Sequence, residues 1–382
     1  MSTDPVSTDT SDVTPSGFGA KPGAIGTPPQ HYGNPLGEQR ALAAGTAVVD
    51  LSDRSVLTVT GPDRLTWIDS LTSQSVARLQ PGESAETLLL DPTGRLEHVM
   101  RLIDDGVSTW ILLEADAAPA LHTWLDRMRF MLRVEIADRS DEYATIGTLG
   151  TLGTLGTPPL EPAAPNGVPL AWRDPWTTVV TGGHQYARVA EHPAAEWTYT
   201  ELLIERSRLD DAAALPAAGT LALEALRIAA WRPRRTTEVD ERTIPHELDW
   251  LRSAVHLNKG CYRGQETIAK VHNLGHPPRR LVLLHLDGSE GVLPAHGDIV
   301  TGVDKLGEPR EVGQITSSAL HYELGPIALA VVKRTTDATE DLVVTAAEHG
   351  VAIAAAQEII VPTDAGAEAD IPRLPRLGAV RR

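Results

Sequence analysis

Cysteine is nearly absent from this 382-residue sequence, which contains only Cys261. A single thiol cannot form an intramolecular disulfide, a zinc site of four thiolates or a four-thiolate iron–sulfur cluster. The pair His246-Glu247 lacks the second histidine that a zinc-protease helix carries four residues further on, and no other spacing matches a structural zinc site. We therefore expect a protein of a reducing compartment that binds no metal.

Long apolar runs and an excess of positive charge are also missing. Nowhere do about eighteen apolar residues follow one another, as a membrane span requires, and the N-terminus lacks the basic-then-apolar pattern of a signal peptide. The formal net charge of −17 opposes binding to nucleic acid or to an anionic membrane surface. The sequence thus predicts a cytoplasmic protein, which we expect to be a monomer, with neither nucleic acid nor membrane among its partners.

Three common catalytic motifs are absent as well. No G-x-G-x-x-G follows a predicted strand, and no G-x-S-x-G element is present. The Gly-Thr-Leu repeat that ends at Pro159 has neither the Lys-Ser/Thr of a phosphate loop nor a following helix. Dinucleotide binding, phosphate binding by such a loop and serine-hydrolase chemistry are therefore without support.

Three stretches have compositions that do not favour packing. Residues 1–35 are rich in Ser, Thr, Asp, Pro and Gly, and residues 363–382 contain prolines and end in two arginines. We expect both to be disordered tails, because so little apolar surface cannot offset the entropy lost on ordering. The Thr-Leu-Gly repeat within 146–166 predicts a flexible insertion.

The remaining sequence predicts an α+β fold in three parts. Residues 36–145 alternate strands with two helices, which is typical of a ferredoxin-like split βαβ unit. Residues 167–278 predict a second ferredoxin-like split βαβ unit, with strands at its start and helices at 201–209 and 220–230. Residues 279–362 contain six short apolar stretches separated by turns, which predict a six-stranded β-barrel.

The cysteine lies in an unusual local sequence. Cys261 stands between Gly260 and Gly264, just before a predicted helix, and Lys259 and Arg263 are two residues away on either side. Free amide groups at a helix N-terminus and nearby positive charge both favour a thiolate over a thiol. We therefore predict a reactive thiol at the mouth of a pocket; the alternative is a cysteine that packs as a small buried hydrophobe.

This stretch resembles the signature of the YgfZ family, K-G-C-Y-x-G-Q-E, with Arg263 at the variable position. The residues that match the fixed positions are Lys259, Gly260, Cys261, Tyr262, Gly264, Gln265 and Glu266. The resemblance extends from roughly Leu36 to Val361 and implies the fold of the glycine-cleavage T-protein, with two α+β units and a barrel around a central channel that binds tetrahydrofolate. It also implies a role in making or repairing iron–sulfur enzymes, including those that modify tRNA, for which the signature cysteine is needed. The implied partners are folate and iron–sulfur enzymes or their assembly factors.

The resemblance further implies where the folate binds. The helix whose family pattern is Arg-hydrophobic-Glu is present as Arg227-Ile228-Ala229, which lacks the carboxylate that meets the pterin ring. Either Glu247, Glu241 or Asp240 supplies that acceptor, or the ligand is bound differently or is not folate. The residues that we assign to the ligand are Arg227, Glu247, Lys259, Tyr262, Arg279 and Arg280. The last two either contact its negatively charged glutamate tail or only flank the first barrel strand.

A second departure from the relatives concerns one-carbon chemistry. In the T-protein relatives a carboxylate stands four residues beyond the glycine that resembles Gly94, whereas this sequence has His98 there, beside Glu97. The missing carboxylate argues against aminomethyl transfer, unless Asp91 takes its place.

Three functions follow as hypotheses. The first is a folate-binding protein that maintains iron–sulfur enzymes through a reactive Cys261. The second is an enzyme that transfers a one-carbon unit to tetrahydrofolate, which requires a carboxylate at the centre of the channel. The third is a binding scaffold with an inert cysteine, which predicts Cys261 buried beneath apolar side chains.

Overall fold

The structure is a computed structural model that describes residues 17–115, 117–150, 160–304 and 306–369. Its helices are α1 Pro35–Ala43, α2 Arg64–Leu71, α3 Ala118–Met128, α4 Leu209–Ala213, α5 Thr220–Ala229, α6 Arg235–Glu238, α7 Leu251–Ala254 and α8 Gln265–Leu274. Its strands are β1 Val48–Leu51, β2 Ser55–Thr60, β3 Ser84–Leu90, β4 Leu96–Asp104, β5 Ser108–Leu113, β6 Glu135–Asp138, β7 Tyr143–Leu149, β8 Ala171–Arg173, β9 Tyr199–Glu205, β10 Ala217–Ala218, β11 Arg279–Leu286, β12 Ile299–Val303, β13 Pro309–His321, β14 Gly325–Lys333, β15 Leu342–Ala346 and β16 Val351–Ile359.

The first sheet has the strand order β3-β4-β5-β2-β6 and is antiparallel throughout. Its apolar side chains pack with those of α2 and α3 in one buried cluster, to which Leu57, Ile68 and Leu121 belong. Gly61 permits the tight turn into α2, because its φ is +127° and a Cβ there would lie 2.2 Å from the carbonyl oxygen of Arg133. This α+β unit confirms the strands and helices that the sequence predicts for it.

The second sheet has the order β10-β1-β7-β9-β8. Strand β1 lies within the predicted first unit, and β7 crosses from that unit into the predicted insertion. This sheet is therefore not built from one continuous segment. The predicted helix at 201–209 is wrong, because residues 199–205 form β9. The consecutive apolar residues Leu202, Leu203 and Ile204 are all buried, as in a strand covered on both faces, and such a run has no period that separates strand from helix.

The third part is a closed six-stranded barrel with the order β11-β14-β13-β12-β15-β16, in which β11 also pairs with β16. It confirms the predicted barrel. A large buried cluster contains Leu88 of the first sheet, Leu203 of the second and Leu329 of the barrel. The three parts therefore pack on one common core.

Residues outside the predicted folded parts also pack. Phe18 is completely buried, and the Lys21 ammonium group donates a hydrogen bond to the carbonyl oxygen of Leu215 at 3.0 Å, so residues 17–34 are not a free tail. Ala365 is completely buried, and the backbone N–H of Glu368 donates to the carbonyl oxygen of His272 at 2.9 Å. The start of the predicted insertion is the end of β7, while residues 1–16, 151–159 and 370–382 lie outside the described residues.

Among the helices that the structure describes, none has the length and apolar character needed to cross a bilayer.

Candidate functional site

A cavity of about 390 Å³ lies between the two sheets and helix α5. Its aromatic wall residues are Trp172, Trp197, Tyr199 and Trp250, and the segment that contains Thr27, Pro28 and Gln30 forms another part of its wall. A volume of this size is within the range of pockets that enclose a small organic ligand. The cavity is therefore the candidate ligand site, and part of the predicted N-terminal tail helps to enclose it.

Six arginines and six carboxylates line this cavity. They are Arg54, Arg101, Arg227, Arg232, Arg234 and Arg235, with Asp53, Glu86, Glu114, Asp174, Glu201 and Glu224. Equal numbers of opposite charges leave the cavity wall nearly neutral within a chain of net charge −17. Buried charges are tolerated only when they are paired and hydrogen-bonded, so the pairing of this set determines what remains for a ligand.

Glu201 on β9 is the most enclosed of these carboxylates. It is fully buried and forms ion pairs with Arg54 and Arg101, and the Tyr199 hydroxyl donates to its Oε1 at 3.0 Å. Burial alone would raise the pKa of Glu201, but the positive charges of Arg101 and Arg54 outweigh that effect and hold the pKa below its usual value. The other carboxylate oxygen, Oε2, is buried and has no hydrogen-bond partner among the described residues. Glu201 therefore keeps one charged acceptor atom that no described residue satisfies.

Arg232 forms hydrogen bonds with two other carboxylates of the cavity wall. Its Nη2 donates to Glu86 at 2.6 Å and its Nε to Asp174 at 2.9 Å, while Trp250 donates its indole N–H to Glu86 at 3.1 Å. The Nη1 of Arg232 is buried without a partner in the described part of the chain. A free cationic donor and the free Glu201 acceptor thus belong to the walls of the same cavity.

Arg227 is the only residue assigned to the ligand from sequence that lines the cavity of the described structure. Its guanidinium donates to Glu238 at 2.9 Å, to Glu224 at 3.0 Å and to the Ser317 hydroxyl at 2.8 Å. These bonds occupy all three nitrogens, so Arg227 fixes helix α5 to α6 and the barrel more than it offers free donors.

Glu247, Arg279 and Arg280 lie away from the cavity. Glu247 is fully buried at the end of a short 3-10 helix and accepts from Arg279 at 2.8 Å and 3.0 Å, and Arg279 also pairs with Asp240 at 2.6 Å. Arg280 donates to the Thr336 carbonyl oxygen and to the Gln357 side chain, both at 3.0 Å. Arg279 neutralises two of the three carboxylates that were candidates for the pterin, Glu247 and Asp240, and the assignment of these residues to a ligand stays a prediction.

The signature loop also lies outside the cavity, and its cysteine is exposed. The Lys259 ammonium group donates to the carbonyl oxygens of Asp69, Thr72 and Gln74 at 2.6, 2.9 and 2.7 Å, so its three N–H bonds are directed away from Cys261. Burial lowers the pKa of Lys259, and the neighbouring Asp69 carboxylate partly opposes this effect. Lys259 therefore fastens the loop to the end of α2, where helix carbonyls lack partners, and its assignment to a ligand stays a prediction.

The other residues of the loop have structural contacts. Tyr262 is buried, and burial raises the pKa of its hydroxyl. Arg263 pairs with Glu97, and its guanidinium carbon lies 5.5 Å from the ring centre of Trp124 of α3. The amide of Gln265 donates to the carbonyl oxygen of Lys259 at 3.2 Å, and Glu266 is exposed in the first turn of α8.

The two glycines that flank Cys261 differ. Gly264 has φ of +84°, and a Cβ there would lie 2.7 Å from the Asp91 carbonyl oxygen and 3.1 Å from the Cα of Gly94. Gly260 is outside the left-handed region, and a Cβ there would meet nothing within 4 Å. The loop therefore requires one glycine of the pair, where it packs on the turn between β3 and β4.

His98, which stands four residues beyond Gly94, does not line the cavity. Along β4, Val99 and Arg101 line it instead. Burial lowers the pKa of His98 to about 4, with Arg235 adding to the effect. Asp91 does not substitute for it, because its carboxylate accepts from Thr93 and Arg95 within its own turn. The cavity carboxylates instead come from positions such as Glu201, whose only signal in the sequence is a charge within the apolar run of β9.

Comparisons with known proteins agree with this architecture. The chain is 26% identical over 320 residues to an aminomethyltransferase of Rippkaea orientalis, covering 78% of this chain and 81% of that protein. It is also 26% identical over 334 residues to an aminomethyltransferase of Symbiobacterium thermophilum, covering 80% and 83% of the two proteins. The crystal structure of glycine cleavage system aminomethyltransferase T from Bartonella henselae superposes with a TM-score of 0.67 over 91% of this chain and 96% of that chain, at 17% identity. No family model matches the sequence. The chain therefore has the fold of the glycine-cleavage aminomethyltransferase.

Proposed function

We propose that the central cavity binds tetrahydrofolate or a derivative of it. The observation that supports this most directly is the buried Oε2 of Glu201, which has no partner in the described residues, in a cavity walled by tryptophan and tyrosine rings. A pterin is a planar ring with adjacent N–H donors, and a buried carboxylate together with aromatic surfaces suits such a ring. The free Nη1 of Arg232 supplies a donor for the ring's acceptor atoms.

Isothermal titration calorimetry with tetrahydrofolate tests this site. We expect the wild-type protein to bind and Leu223→Trp to bind at least about tenfold more weakly, because Leu223 lines the cavity and an indole would occupy the ligand's space. Leu221→Trp is the matched control: Leu221 is on the same helix α5 but is 44% exposed, so its replacement should leave affinity unchanged. Folded Glu247→Ala protein should also bind tetrahydrofolate with wild-type affinity, since Glu247 lies outside the cavity.

Two results would contradict the cavity as the site. One is the absence of heat from tetrahydrofolate binding to wild-type protein, which would favour the scaffold hypothesis. The other is equal affinity of the Leu223→Trp and Leu221→Trp variants, which would place the ligand elsewhere.

We further propose that the protein supports iron–sulfur enzymes through Cys261, as the YgfZ resemblance implies. The support is that the thiol is exposed, which a protein partner requires, and that the loop carrying it is fastened by Lys259 and Gly264. The scaffold hypothesis had required a buried cysteine, and the exposed thiol does not meet that requirement.

Complementation tests the role of the thiol. In cells from which the gene has been removed, we expect Cys261→Ser to restore none of the activity of iron–sulfur enzymes that modify tRNA, while the purified variant unfolds at the wild-type temperature and binds tetrahydrofolate normally. The physical reason is that the side chain is exposed and contributes little to packing. Full restoration by Cys261→Ser would remove the thiol from the function.

A second candidate function is one-carbon transfer to tetrahydrofolate. Its support is that the carboxylates Glu114 and Glu201 line the cavity and that both relatives above are aminomethyltransferases. Turnover of an aminomethyl donor with tetrahydrofolate that persists in Cys261→Ser would favour this function. Absence of turnover, together with loss of complementation by Cys261→Ser, would favour the first.

A further inference from the structure

An exposed apolar segment lies where α3 ends. Phe130 and Met131 are 91% and 89% exposed, and Met128 and Leu132 are 44% and 39% exposed. The chain has only two phenylalanines, and the other one, Phe18, is completely buried. Contiguous large apolar side chains in water are unfavourable, so such a group on a soluble surface is typical of an interaction site. We call Met128–Leu132 the α3 tip.

The α3 tip has a defined conformation. Phe130 has φ of +51°, a left-handed backbone that a side chain of this size rarely adopts, and the N–H of Leu132 donates to the Arg129 carbonyl oxygen at 3.1 Å. Next to it, Asp63 accepts from the backbone of Arg133 at 2.9 Å and from its guanidinium at 2.7 Å. A turn that is already ordered loses less entropy on binding than a flexible one.

The charge of this region is opposite to that of the chain. Arg127, Arg129 and Arg133 surround the tip; Arg129 pairs with Asp126 and Arg133 with Asp63, while Arg127 is exposed and forms no ion pair within the described residues. The tip is therefore locally positive on a chain of net charge −17. Methionine, phenylalanine and arginine are the residue types that dominate the centres of protein interfaces.

The α3 tip is connected to the signature loop. Trp124 is four residues before Met128, so the two lie on one face of α3, about one helical turn apart. The guanidinium of Arg263 lies over the Trp124 ring, 5.5 Å from its centre, and Arg263 is two residues from the exposed Cys261. A protein seated on the tip would thus cover surface close to the thiol.

We propose that the α3 tip is the docking surface for a protein partner that presents an apolar pocket bordered by carboxylates, and that it holds this partner beside Cys261. This inference rests on the proposed role of Cys261. Phe130 and Met131 enter the pocket, and Arg127 and Arg129 face the carboxylates at its border.

Complementation with paired variants tests the surface. We expect the double variant Phe130→Ser, Met131→Ser to restore at least about tenfold less iron–sulfur enzyme activity than wild type, because two large apolar side chains, of types enriched at interface centres, no longer fill the partner's pocket. Its thermal unfolding and tetrahydrofolate binding should equal those of wild type, which separates docking from folding. Leu306→Ser is the control, since Leu306 is 86% exposed on the barrel, and it should complement fully.

The outcomes separate the two proposals. If the tip variant complements like wild type while Cys261→Ser fails, the docking surface is overturned and the role of the thiol stands. If Cys261→Ser also complements, both are overturned.

A photocrosslinking residue identifies the class of partner. With a benzoylphenylalanine at position 130, we expect an adduct with an acidic protein in cells, lost when Arg127→Glu and Arg129→Glu are added, and no such adduct from position 306. Co-sedimentation of wild type with phosphatidylserine vesicles that the tip variant abolishes would overturn the proposal in favour of a membrane surface.

Discussion

Replacement of Glu201 by alanine should lower the free energy of unfolding by about 3–5 kcal/mol, the range found when one partner is removed from a buried ion pair. The variant leaves Arg54 buried without its carboxylate, whereas Arg101 retains Glu114 at 2.9 Å. The dominant cost is that a largely buried guanidinium loses its charged partner. Urea unfolding followed by circular dichroism measures the effect.

The matched control for Glu201→Ala is Asp364→Ala. Asp364 pairs with Arg188, but both side chains are more than 60% exposed, and exposed pairs contribute at most about 1 kcal/mol. A similar effect of the two substitutions would show that the Glu201 network is solvated.

Because the folded-state pKa of Glu201 lies below its unfolded value, its contribution to stability is present above the unfolded pKa and is lost as the pH falls through the folded one. Glu201→Ala should remove that part of the acid sensitivity.

The second large effect is expected from Gly264→Ala, which should destabilise the fold by about 2–5 kcal/mol. About 1–2 kcal/mol comes from the left-handed backbone and about 1–3 kcal/mol from overpacking against the Asp91 carbonyl oxygen and Leu90, where a Cβ would lie at 2.7 and 2.9 Å. Chemical denaturation of the purified variant measures it, and loss of soluble protein would be consistent with the upper end of the range.

Gly260→Ala is the control in the same loop. Its backbone is not left-handed and the added methyl group meets no atom within 4 Å, so the change should be neutral or stabilise by up to about 1 kcal/mol through the unfolded chain. Equal destabilisation by both substitutions would contradict the packing of the loop on the β3–β4 turn. Neither Gly260 nor Gly264 lines the cavity, so the two variants measure the stability of the loop without altering the candidate ligand site.

Local patterns predicted the elements of the first unit and the barrel well. The alternating strands and the helices predicted for the first unit recur as β2 to β6 with α2 and α3, since alternation and helical spacing are properties of neighbouring residues. β9 was not predicted because a short, doubly buried strand has no periodic signal. The assembly of the second sheet from β1, β7 and later strands depends on contacts between distant residues.

For the candidate site, too, local sequence indicated some features, while others depended on contacts between distant residues. The signature of Lys259 to Glu266 could be identified from sequence, but its position relative to the cavity could not. Arg279 pairs with Glu247 and Asp240, and Lys259 binds backbone carbonyls, so residues that looked available for a ligand are already satisfied. Glu201 was missed because a single carboxylate in an apolar run gives no information on its partners.

The sequence by itself determined the α+β class, the barrel, the single thiol and the glycine-containing loop that carries it, because these follow from composition, period and local backbone freedom. Only the tertiary structure decided which charges face the cavity, which are neutralised elsewhere, and that the thiol is on the surface. The physical reason is that pairing and burial of charge depend on distances between residues far apart in the chain, which no local pattern encodes.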